Sequence, residues 1–67
     1  MKQVATIQFQ DSSAQDEALA IVRADEHGVA LGLSIKKDGD LEVFMPHESA
    51  RALIAALQEA VSLESKH

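Results

Sequence analysis

Two alternating segments separated by an Asp-Gly turn constrain this chain more than any other feature. Before the turn, Val29, Leu31, Leu33 and Ile35 alternate with Ala30, Gly32, Ser34 and Lys36. After it, Leu41, Val43 and Met45 alternate with Glu42, Phe44 and Pro46. Period-2 alternation marks half-buried strands, and Lys36-Lys37-Asp38-Gly39-Asp40 between them marks a hairpin. A two-residue Asp38-Gly39 loop would set Ile35 against Glu42 and mix large apolar side chains with polar ones on both faces. A three-residue loop, Lys37-Asp38-Gly39, keeps the large aliphatics together and gives Gly39 the left-handed position that lacks a Cβ penalty. The pairs expected from that loop are Ile35 with Leu41, Leu33 with Val43, Gly32 with Phe44 and Leu31 with Met45.

Upstream, residues 3–10 have strand character, with Ala5, Ile7 and Phe9 on one side. Residues 11–17 are small and polar and read as a loop. Residues 18–25 read as a second strand, with Glu26-His27-Gly28 as another odd-numbered turn setting Ile21 against Leu33 and Leu19 against Ile35. The competing reading makes residues 13–27 helical, with Ser13, Asp16 and Glu17 at the helix start and Gly28 after its end.

The last third reads as a helix. Pro46 suits the first turn and Glu48 complements the helix dipole. Leu53, Ile54, Leu57, Ala60 and Val61 recur at three- and four-residue intervals. Ala52, Ala56 and Leu63 widen that apolar arc beyond what one core contact needs.

The expected fold is therefore α+β, a single domain over residues 1–67: a four-stranded antiparallel β-meander followed by one C-terminal α-helix packed on one face (ββββα). The alternative is βαββα. A helix covers one face of such a sheet, so the other face bears on function. In the expected registers it carries a small apolar centre, Val22, Gly32 and Phe44, flanked by Ala24 and Ala30. These five residues, with Ala52 and Ala56 on the helix, are the candidate protein interface, because a flat apolar centre with a polar rim resembles a contact surface. A second copy of the chain is the simplest partner, and another protein the next.

Chemistry is sparse. The chain has no cysteine, tyrosine or tryptophan, and its serines lack a nucleophile-elbow setting, so no catalytic residue is assigned. Asp38, Asp40 and Glu42 lie close in sequence but lack the further oxygen ligands and spacing of a calcium loop. His27, His47 and His67 have no metal-ligand spacing, and no cofactor motif is present. A net charge of −5 and six scattered basic residues disfavour nucleic acid and anionic lipid. No run is apolar and long enough to span a membrane. Met1-Lys2 leads into an alternating segment rather than a signal core, so a cytoplasmic location is expected. The sequence thus points to a small non-enzymatic interaction module. A single-stranded nucleic-acid binder, or an acidic protein imitating DNA, is the alternative.

Overall fold

The computed structural model describes residues 1–37 and 39–64, the last by its backbone. It contains four antiparallel strands in one sheet and a C-terminal helix: β1 (Lys2–Gln10), β2 (Glu17–Asp25), β3 (Gly28–Ile35), β4 (Gly39–Met45) and α1 (His47–Glu64). Strand order follows chain order, so β1 and β4 are the edges. The ββββα order is the one expected, and residues 17–25 are strand, not helix.

The β3–β4 hairpin keeps the anticipated faces but not the anticipated pairs. Ile35 pairs with Gly39, Leu33 with Leu41, Leu31 with Val43 and Ala30 with Phe44. β3 ends at Ile35 and β4 begins at Gly39, one position earlier than expected, and Gly39 takes its positive φ of 88° as the first residue of β4. A slide of two in the sum of paired positions preserves side-chain parity, so the aliphatics of β3 and β4 still share a face. Phe44 therefore lies across from Ala30, and Gly32 faces Glu42.

The β2–β3 turn differs in a way that matters more. Asp25 pairs directly with Gly28, which leaves a two-residue loop, Glu26-His27. The Asp25 carboxylate accepts the amides of His27 (2.8 Å) and Gly28 (3.2 Å) and caps this tighter turn. The one-residue change of loop length exchanges the two faces of β2. Val22 now opposes Leu31, Ala20 opposes Leu33 and Ala24 opposes Val29, while Ile21 opposes Gly32.

At the other end of β2, the Asp16 carboxylate accepts the amides of Glu17 (2.9 Å) and Lys37 (2.9 Å), tying the 11–16 loop to the β3–β4 turn. Asp11 organises that loop by accepting the Ala14 amide on its side chain and the Gln15 amide on its carbonyl. In β1, a register shift between Gln3 and Ala5 inserts Val4 as a bulge. Gln3 and Thr6 consequently share a face and are joined side chain to side chain at 2.7 Å.

The helix does not supply the core expected of it. Among the described residues it meets the sheet along β3 and β4. Ala50 is half-buried, and every described residue from Arg51 to Leu63 is exposed. The expected core of Leu53, Ile54, Leu57 and Val61 against the sheet aliphatics is not formed within the chain. The reason is the connection. Met45 ends β4 and His47 begins α1, so Pro46 alone must turn the chain, and its carbonyl is already engaged by the Ala50 amide at 3.1 Å. Proline fixes its own φ and holds the preceding residue extended. The stripe of Leu53, Ile54, Leu57 and Val61 is left exposed.

Candidate functional site: two unpartnered apolar surfaces

The first surface is one face of the sheet. Its cross-strand rows are Phe9–Ala18–Ile35, Ile7–Ala20–Leu33–Leu41 and Ala5–Val22–Leu31–Val43, with Ala24–Val29–Met45 at the end near the helix. Every side chain in these rows is apolar. Lys2, opposite Ala24 beyond the bulge, brings the only charge to the rim of this face among the described strand pairs. Such a face belongs in an interior. Here Ile7, Phe9, Leu33, Leu41 and Val43 are all exposed.

The second surface is the α1 stripe. Leu53, Ile54, Leu57 and Val61 lie on one side of the helix, and Leu57 is 57% exposed. Against this, the buried apolar residues among those described are Ala18 (4% exposed) and Ala30 (0%). No large side chain among them is fully buried.

The dimensions agree. The Cα radius of gyration is 13.4 Å, where a compact domain of this length has about 11 Å. The accessible surface is 5458 Å², where a folded monomer of this mass exposes about 4,100 Å². The chain shows on the order of 1,300 Å² too much surface for a self-sufficient domain.

The opposite face of the sheet is polar. It carries Gln8–Leu19–Ser34–Asp40, Thr6–Ile21–Gly32–Glu42 and Gln3–Arg23–Ala30–Phe44. Arg23 and Glu42 form an ion pair there, and the Ser34 hydroxyl donates to Asp40 at 2.6 Å. Ala30 is buried between the neighbouring strand positions of Arg23 and Phe44. Solvent-exposed pairs of this kind contribute little stability.

The residues singled out from sequence are thus divided. Ala30, Gly32 and Phe44 lie on the polar face, where Phe44 is 67% exposed. Val22 and Ala24 lie on the apolar face, beside Leu31 and Val29. Ala52 and Ala56 are exposed on α1. A contact surface built from Val22, Gly32 and Phe44 together does not exist, because the two-residue β2–β3 loop places Val22 on the other side. Sequence reasoning misses Ile7, Phe9, Leu33, Leu41 and Val43 as surface residues, because alternation alone gives such side chains to a covered interior. The signal that could have corrected the register of β2 is the Asp25 side chain, whose turn-capping chemistry favours the shorter loop.

Among the described residues, no group of three or more His, Cys, Asp or Glu is placed to hold a metal ion. Asp38 and His67 lie outside the described residues. The Asp25 carboxyl is held below its ordinary range, chiefly by the His27 amide, which is turn chemistry. No described helix is long and apolar enough to cross a membrane. No family model, curated protein or solved structure matches the chain.

Proposed function

We propose that this chain is a non-enzymatic interaction module whose folded unit is a homodimer formed through the apolar sheet face. One observation carries the reading: Ile7, Phe9, Leu33, Leu41 and Val43 on the apolar sheet face and the apolar helix stripe are exposed, while the buried apolar residues among those described are two alanines. Burying the surplus on each of two chains removes about 2,600 Å², within the range of roughly 2,000–5,000 Å² typical of obligate dimers. A second copy is the partner that is present whenever the chain is made, and it offers the same surfaces in a self-complementary pairing.

Sedimentation equilibrium together with melting at several concentrations tests this. The expected result is a mass of two chains and a Tm that rises with protein concentration, as mass action requires when folding and association are coupled. A folded species of one-chain mass with a concentration-independent Tm overturns it.

A further inference from the structure

Resting on the homodimer reading, we propose that the two chains exchange helices: α1 of each lies along the apolar sheet face of the other. The first ground is connectivity. With Pro46 alone between β4 and α1, the stripe of Leu53, Ile54, Leu57 and Val61 has no slack with which to fold back over its own sheet. A second copy supplies the same face without that constraint.

The second ground is shape. On the apolar face, β2 contributes Ala18, Ala20, Val22 and Ala24, and at Ala18 and Ala20 the strands on either side contribute larger residues. Ala20 lies between Ile7 and Leu33, and Ala18 lies between Phe9 and Ile35. Small residues between larger ones make a dip in β2 at Ala18 and Ala20, which ends at Val22. From Ala18 to Ala20 the dip is about 7 Å long at the usual rise per strand residue. The helix stripe from Leu53 to Val61 extends about 12 Å at the helical rise. The dip seats part of the stripe, and Ile7, Phe9, Leu33 and Ile35 beside it present aliphatic and aromatic side chains to the helix.

The third ground is the area. Both the face and the stripe are surplus surface in one chain, and exchange covers both at once, twice per dimer by symmetry. A dimer made by stacking the two sheet faces would cover those faces and leave both stripes bare.

The native chain has no cysteine, so introduced thiols report contacts cleanly. Ala20→Cys and Leu57→Cys are made in separately tagged chains, unfolded together, refolded and oxidised. The expected product is the mixed disulfide between the two tags, several-fold in excess of either like-with-like disulfide. A dominant Ala20→Cys like-with-like link, with two-chain mass retained, overturns the exchange and leaves the homodimer standing. A one-chain mass for the unsubstituted protein overturns the homodimer itself. Should either variant fail to refold, mixed dimers of ¹³C-labelled and unlabelled native chains distinguish the same two arrangements. Methyl contacts between Leu57 and Leu33 are expected in the intermolecular spectrum, and their appearance only within one chain overturns the exchange.

Discussion

Asp25 and Gly28 are direct partners across the β2–β3 turn, with the Asp25 carboxylate accepting the amides of His27 and Gly28. This pairing decides which side of the sheet each β2 residue occupies. It places Ala18, Ala20, Val22 and Ala24 with the aliphatics of β3, and sends Leu19, Ile21 and Arg23 to the polar face.

The Asp25 carboxyl titrates below its ordinary value of 3.8 because its charged form is hydrogen-bonded in the fold, first of all by the His27 amide. A carboxyl depressed on folding contributes stability above its unfolded pKa and loses that contribution as pH falls through its folded one. Asp25→Asn is expected to lower the urea midpoint at neutral pH. The gap between variant and native protein should narrow as pH is taken below 3.8. Chemical denaturation at a series of pH values measures this, and a gap independent of pH contradicts it.

Gly28 is required by space. A Cβ built there would stand 2.3 Å from the Met45 carbonyl oxygen, a backbone atom that can move only with β4. Gly28→Ala is expected to cost about 1–3 kcal/mol by forcing that strand aside. Thermal melts at matched protein concentration read it as a lowered Tm.

Gly39 is required by conformation alone. Its φ is 88° and nothing lies within 4 Å of a built Cβ. Gly39→Ala should therefore cost about 1–2 kcal/mol, whereas Gly39→Asn should cost less, since asparagine tolerates the left-handed region. Equal losses from the two substitutions would show that the turn is limited by something other than φ.

The two faces of the sheet should respond differently to charge. Leu33→Lys places an ammonium on the apolar face and is expected to weaken association by about 2 kcal/mol or more, some thirtyfold in Kd. Phe44→Lys, on the face that holds Arg23 and Glu42, should leave the two-chain mass unchanged. Sedimentation of both variants separates the faces. Dissociation by Phe44→Lys with Leu33→Lys still dimeric would reverse the assignment.

Much of the architecture is legible in local chemistry. Alternation around Leu31–Ile35 and Leu41–Met45 marks two strands. The left-handed Gly39 is readable because glycine alone takes that φ without a Cβ penalty. The spacing of Leu53, Ile54, Leu57 and Val61 marks α1. The candidate site is less legible. Pairing Ile21 with Leu33 groups large residues together, and that criterion fails on a face built from alanines set beside large neighbours, as Ala20 is beside Leu33.

The sequence alone marks the β3 and β4 strands, the hairpins and the helix, because periodicity, glycine and proline act over a few residues, while strand pairing settles which residues make each turn. Tertiary structure decides what those elements face. One residue of loop length between Asp25 and Gly28 exchanges the sides of β2, since side chains alternate with a period of two. One proline between Met45 and His47 joins α1 to β4, and α1 meets the sheet along β3 and β4 while its apolar stripe stays exposed. Together these leave Leu33 and Leu57 exposed on separate surfaces of one chain, and that separation is the physical reason for proposing a second.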